Sequence, residues 1–379
     1  MLFSNAYVFQ GEEGFVRGSL RVENGKITEV IRETAAQAAG GEDAADLQGM
    51  YVIPGLIDIH SHGNSGYDFS DGSEEGVREM GRYYARNGIT SFAPASMTLP
   101  YDKLEKAFLT ARSYKEEWDG SSSRLAGIHM EGPFFSEKKK GAQNSAYLRL
   151  PDADAVTRLQ KACGGLIRIV DVAPELPGTE EFIKEVSLYC RVSLAHTDAS
   201  YEDAVRAFDA GASHVTHLFN AMPSLHHREP GVIGAAGERE KVTAELICDG
   251  LHVHPSVIRL AFKVFAGRIC LISDSLRCCG MPEGEYELGG QTVYLRDGHA
   301  RLADGTLAGA VSNLFDDMVN AIRFGIPLEQ AVMAATINPA RAIGADHETG
   351  SLEAGKMADF VVCDKEWKIR QVVIGGKAI

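Results

Sequence analysis

The 379-residue sequence has no cysteine pair spaced as CxxC, no low-complexity tract, and no stretch near the roughly 18 apolar residues that a membrane helix requires. Its seven cysteines are scattered, and the adjacent Cys278 and Cys279 offer no disulfide framework, which excludes the small stapled scaffolds of oxidising compartments. Positive charge is also short. Lys and Arg number 38 against 52 Asp and Glu, and a net charge of −14 argues against nucleic acid or an anionic membrane surface as partner. Any anionic small molecule must then be met by a local cluster of positive groups. The first residues, "MLFSNAYVFQGEEG", lack a charged segment followed by a long apolar core, so a cytoplasmic protein is expected.

What is present is a globular composition, 45% hydrophobic and 24% charged, long enough for one large and one small domain. Near the start, "NAYVFQGEEGFVRGSLRVENGKITEVI" alternates apolar and polar residues in short runs broken by glycine, and "GSLEAGKMADFVVCDKEWKIRQVVIGGKAI" at the far end has the same texture. The two ends are therefore expected to form one small β-sandwich domain, residues 1–53 plus 346–379. Residues 54–345 behave differently. Eight β-rich runs, "YVIPGLIDIH", "ITSFAPAS", "RLAGIHME", "LIRIVDVAP", "RVSLAH", "ASHVTHLF", "VTAELICD" and "RICLISD", alternate with helical stretches such as "SYEDAVRAFDAG". That rhythm predicts an α/β fold, a (β/α)8 TIM-like barrel, whose catalytic groups sit at the C-terminal ends of its strands.

The polar residues fall where that rule puts them. The first run ends in His60 and His62, the third in Glu131, the fifth in His196, the sixth in His217 and the eighth in Asp274. Asp58, His60 and His62 occupy alternate positions and so share one face of a strand. Taken singly, His60 and His62 also fit satisfied core histidines, Glu131 a turn cap, and Asp274 a helix N-cap. Taken together, six metal-competent or acid/base groups on one rim point to a divalent-cation site, with Asp274 as the proton carrier. His129 in "HMEGPFF" lies deeper and reads as a packing or supporting residue, and His214, three residues before His217, reads as structural on the other face. Gly132 and Pro133 are expected to make a sharp turn that aims Glu131 over the rim. The loop "NAMPSLHHREPGVIGAA" supplies the local positive cluster, His226, His227 and Arg228. Arginine's planar fork suits phosphate or carboxylate. In "CDGLHVHP", His252 is the expected substrate contact.

Across nearly its whole length the chain resembles the amidohydrolase superfamily, and within it the N-acetylglucosamine-6-phosphate deacetylase family. The resemblance is carried by "PGLIDIHSHG", "HMEGPFF", "KKGAQN", "AHTDA", "THLFNAMPSLHHREPG", "DGLHVHP", "SDS", "DGTLAGA", "NPARAIG" and "GSLEAGKMADFVV". It implies hydrolysis of the acetamide of N-acetyl-D-glucosamine 6-phosphate to glucosamine 6-phosphate and acetate. It implies too that Glu131, His196 and His217 hold the principal metal, that His60 and His62 serve a second ion bridged by Glu131, and that the metal is zinc, iron or another divalent ion, one or two per subunit. Substrate contacts implied are Ala142, Gln143, Asn220, Ala221, Arg228 and His252, with Leu307 and Ala308 closing over the acetyl group. A homodimer with phosphate contacts near the subunit boundary is implied as well. Two departures stand out: Gln143 replaces a common histidine after "KKGA", and "SDSLRCCGMPEG" replaces the usual "TDA" pattern while keeping the aspartate. N-acetylgalactosamine 6-phosphate, a cyclic amide, or a barrel kept only for binding are the rival readings.

Overall fold

The structure, a computed structural model, describes residues 1–33 and 44–379; residues 34–43 of the expected small domain lie outside the described residues. Alternation shapes the N-terminal strands: in Phe15–Glu23, Leu20 and Val22 are buried while Arg21 and Glu23 face solvent. Leu2–Phe9 pairs antiparallel with Phe15–Glu23 on one side. On its other side it forks, its first half pairing with Ala44–Asp46 and its second half with Tyr51–Pro54. Asn5, with φ 57°, sits where the register shifts between the halves. Tyr51–Pro54 then pairs antiparallel with Phe360–Cys363, so both ends of the chain share one eight-stranded sheet. Hydrogen bonding links these strands into one forked sheet that joins both ends of the chain.

The first β-rich run is divided between two sheets. Tyr51–Pro54 belongs to the small sheet and Leu56–Asp58 starts the parallel series, with Gly55 at the crossing. A Cβ there would lie 2.1 Å from Thr90 Oγ1, so glycine at this position leaves the room that the Thr90 side chain fills. The parallel strands follow in chain order: Leu56–Asp58, Ile89–Phe92, the third run, Ile167–Val172, Arg191–Leu194, His214–Val215, Thr243–Ile247 and Ile269–Ile272. The third run is kinked. Its Arg124–Leu125 half pairs with Ile89–Phe92, and its Ile128–Phe134 half pairs with Ile167–Val172. At the other end of the series, Asp274 N donates to His60 O at 2.9 Å, tying the eighth strand's end to the first.

Strands such as Ile269–Ile272 are buried on both faces, which is why they read as unbroken apolar runs. A cluster of Ile57, Ile59, Ala93, Ile169, Ile247 and Ile272 with Ile337 and Ala340 draws on five of these strands and packs where they converge. Helices cover the outside. Tyr201–Ala210 starts with Ser200 and Asp203 capping each other's backbone N–H groups, and Glu74–Arg86 buries Val77, Met80 and Tyr84. One element had no signal in the sequence reading: a three-stranded antiparallel insertion, Gly284–Leu288, Gln291–Arg296 and His299–Leu302, after the eighth strand. It packs Leu288, Val293 and Leu295 against Met97 and Leu276. No helix among the described residues is long and apolar enough to cross a membrane.

Candidate metal centre and active site

Three strand ends bring the principal donors together. Glu131 lies within Ile128–Phe134, where the register against Ile167–Val172 shifts between Met130 and Phe134, so residues 131–133 bulge out of the ladder. The expected sharp turn at Gly132 and Pro133 is thus a bulge inside a strand. His196 and His217 each follow their strand's last paired residue with left-handed φ values of 43° and 29°, and Asp274 has φ 49°. Such values turn a side chain off the strand's alternation, which is how His214 and His217 both point inward despite their odd spacing. His214 is therefore not on an outer face; it is buried beneath the site.

The geometry is tight. Glu131 Oε1 lies 3.1 Å from His196 Nε2 and 3.3 Å from His217 Nε2, and the two imidazole nitrogens are 3.1 Å apart. His62 Nε2 lies 3.2 Å from Glu131 Oε2 and 3.4 Å from Asp274 Oδ1. His60 Nε2 stands 3.6 Å from both Glu131 Oε1 and Asp274 Oδ1. All six side chains are buried. Burial alone would raise the Glu131 pKa, but His62, His196 and His217 hold its carboxyl well below the usual range. Burial opposes a charge on His62, yet Glu131 and Asp274 push its pKa well above the ordinary value. Burial likewise pushes Asp274 up, and His62 and His60 outweigh it, leaving the carboxyl lowered and ionised.

These residues fit a divalent cation. His196 Nδ1 lies 2.9 Å from the Lys139 carbonyl, which only an N–H can satisfy, so neutral His196 presents Nε2 as a lone pair. His60 Nε2 is buried with no hydrogen-bond partner among the described residues. Lone pairs from imidazole and carboxylate thus converge, with no thiolate among them, a donor set suited to zinc, iron or similar ions. Among the described residues three groups of donor atoms are close enough to hold an ion: Glu131 with His196 and His217 and His60 with His62 and Asp274 at the cavity floor, and His60 with His129 and Glu245 beneath them.

A cavity of about 270 Å³ opens over this centre, lined by His62, Glu131, His196, His217 and Asp274. Ala142, Gln143, Asn220, Ala221, His252 and Leu307 line it as well. Gln143 Oε1 accepts from Thr98 N at 2.8 Å, which orients the amide so that Nε2 donates to Glu131 Oε2 at 2.7 Å. His252 is fixed by Asp249, whose Oδ2 lies 2.6 Å from Nδ1. Two expected contacts are not in that lining. Ala308 is fully buried between Leu307 and Gly309, which line the cavity, and its N–H is taken by Ala300 O in the insertion. Arg228 is exposed, with its guanidinium 2.7 Å from His227 Nε2, and does not reach this cavity in the single chain. Sequence reasoning missed Met97, Leu276 and Leu288, which form an apolar wall, and Glu245, buried beneath His60. Leu288 had no signal; Glu245 did, as a lone acid inside the apolar run "TAELI".

A chain of parallel βα units with a small β domain and a buried imidazole–carboxylate centre defines a class of hydrolases, and a family model described as "Amidohydrolase family" matches residues 51–379: the chain belongs to that family. Within it the likeness is narrower. The Bacillus subtilis N-acetylglucosamine-6-phosphate deacetylase is 35% identical over 99% of this chain and 96% of its own length. A variant of the Mycobacterium smegmatis N-acetyl-D-glucosamine-6-phosphate deacetylase, solved in complex with N-acetyl-D-glucosamine-6-phosphate, superposes with a TM-score of 0.91 at 32% identity, covering 100% of this chain and 98% of that one. The Escherichia coli O157:H7 N-acetylgalactosamine-6-phosphate deacetylase is 33% identical over 86% of this chain and 87% of its own.

Proposed function

We propose that this chain hydrolyses the acetamide of N-acetyl-D-glucosamine 6-phosphate, giving D-glucosamine 6-phosphate and acetate, in amino-sugar breakdown. The observation that carries the reading is the convergence of six donors from five strand ends on one buried spot at the floor of a cavity. Glu131, His196 and His217 would hold a divalent ion, zinc or iron, and His60 and His62 a second; when bound, such an ion supplies Lewis acidity toward an amide oxygen and toward water.

The chain's own groups supply the proton traffic. Asp274 takes a proton from water as the oxygen bonds to the acetamide carbon, and it returns that proton to nitrogen as the carbon–nitrogen bond breaks. The amine cannot leave as an anion, so this return is obligatory. His252, with Nδ1 bonded to Asp249, turns Nε2 toward the sugar. Met97, Leu276, Leu288 and Leu307 give the acetyl methyl an apolar wall. Ala142, Asn220 and Ala221 contact the sugar phosphate, Gln143 steadies Glu131, and Ala308 supports Leu307 from behind. The two arcs of parallel strands form one closed (β/α)8 barrel, residues 54–345, with the small domain from 1–53 and 346–379. The chain works in the cytoplasm as a homodimer, and Arg228, exposed at the edge of its loop, serves the phosphate across the subunit boundary.

Acetate release from N-acetylglucosamine 6-phosphate, N-acetylgalactosamine 6-phosphate and an unphosphorylated control, with elemental analysis of the same preparation, tests this. Turnover of the gluco compound with at least one bound ion is the expected result. Preference for the galacto compound would move the assignment to the second relative's reaction, and no release from either would end it.

A further inference from the structure

Beneath the centre lies a carboxylate that the chemistry above does not use. Glu245, in the strand Thr243–Ile247, is fully buried, and several groups meet it. His60 Nδ1 lies 2.9 Å from Oε2, and the backbone N–H of His217 donates to the same oxygen at 3.2 Å. His214 Nε2 lies 3.2 Å from Oε1. His129, 3.5 Å from Oε1, has its own partners, Ile59 O at 3.0 Å and Asp171 Oδ1 at 2.9 Å. Burying a carboxylate is costly unless its lone pairs are met by donors, and here they are. A residue needed only to fill space would be an apolar one.

An ionised carboxylate accepts and never donates, so each of its close partners must present an N–H. For His60 that requirement decides the tautomer. The proton stays on Nδ1, and Nε2 turns its lone pair toward Glu131 and Asp274. His62 has no such partner, for its buried Nδ1 is without a hydrogen bond among the described residues. The two histidines of "HSH" are therefore unequal.

We propose that Glu245 is a positioning residue, which locks His60 with Nε2 as an electron-pair donor and thereby sets how tightly the His60, His62 and Asp274 position holds a divalent cation. This deepens the metal-site reading and rests on it.

Two variants of the full chain, Glu245→Leu and Glu245→Gln, stripped of metal and titrated with Co²⁺ against a chelator, test the idea. Losing such a supporting partner typically weakens metal binding about 10- to 100-fold, and that loss is expected for the leucine variant. The glutamine variant still offers an amide oxygen to His60 Nδ1 and is expected to keep most of the affinity. Adding E245L to His60→Ala should cost nothing further at that position. Wild-type affinity in E245L, or a full second loss on top of H60A, would overturn the proposal. If E245L does not fold, the wild-type apoprotein decides: ¹⁵N-histidine spectra should show His60 protonated on Nδ1, and a proton on Nε2 overturns it. A wild-type chain that takes up no Co²⁺ fails the metal reading instead, while the tautomer still reports on Glu245.

Discussion

Replacing Asp274 by Asn probes the centre with little structural disturbance. The backbone at 274 is held independently of the side chain, by Asp274 N to His60 O at 2.9 Å and Ala310 N to Asp274 O at 2.8 Å. Its φ of 49° lies in the left-handed region, which Asn tolerates as readily as Asp. The amide keeps the size of the carboxylate beside His62 and His60, and it removes the capacity to take and return a proton that the proposed mechanism requires. A positioned acid or base contributes about 10²–10⁴ in rate, so the loss in kcat should be about a thousandfold, equivalent to about 4 kcal/mol of barrier. KM should move little, because the contacts proposed for the sugar and phosphate are made by other residues. Ion content at Glu131, His196 and His217 should persist, since Asp274 is not in that group. Steady-state acetate release with elemental analysis separates these effects. A metal-loaded D274N enzyme turning over within tenfold of wild type would refute the proton-transfer role.

Two further outcomes follow from neighbouring side chains. Gln143→Leu removes the 2.7 Å bond that steadies Glu131 Oε2, and chelator competition should show metal affinity about 10- to 100-fold weaker; an unchanged affinity would show that Glu131 needs no such support. Asp58, bonded to Ser273 Oγ at 2.6 Å, has its pKa pushed up to about 6, chiefly by burial. A raised carboxyl pKa means the native state favours the neutral form, so its stabilising contribution is complete below about 3.8, the ordinary value, and lost as pH rises through about 6. The thermal midpoint of the apoprotein should therefore fall, relative to Asp58→Asn, between about pH 4 and 6.5, and a constant difference across that window would contradict the burial argument.

Much of this architecture was written in local patterns. The eight β-rich runs correspond to the eight parallel strands because a strand covered on both faces needs consecutive apolar residues, as in Ile269–Ile272. The donors at strand ends were legible for the same reason: a charged or imidazole side chain that closes an apolar run stands out. What was not legible depends on contacts distant in sequence. The split of "YVIPGLIDIH" between two sheets turns on the approach of Gly55 to Thr90, 35 positions away in the chain. The insertion at 284–302 has mixed strands with exposed residues, and its cover over the cavity depends on where it folds back, not on its composition. Arg228 was read from its residue type, its loop and the family resemblance, and none of these fixes which way a surface loop faces in a single chain.

The spacing rule itself failed in an instructive place. Strand alternation puts His214 and His217 on opposite faces, yet both are buried toward the same centre, because the chain leaves the strand after Val215 and enters the left-handed region at His217. His196 and Asp274 do the same at their own strand ends. Non-glycine residues held there cost about 1–3 kcal/mol each, and such strain persists where surrounding contacts over-determine it. Here those contacts are the Lys139 carbonyl on His196, the Glu245 carboxylate on the His217 backbone, and the His60 carbonyl on the Asp274 backbone. His and Asp are among the side chains that best tolerate this region, so the groups that suit the chemistry also suit the bend that aims them. The strained bends and the converging donors are thus one feature: relaxing the backbone at any of the three would swing its side chain back onto the strand's alternation and out of the centre.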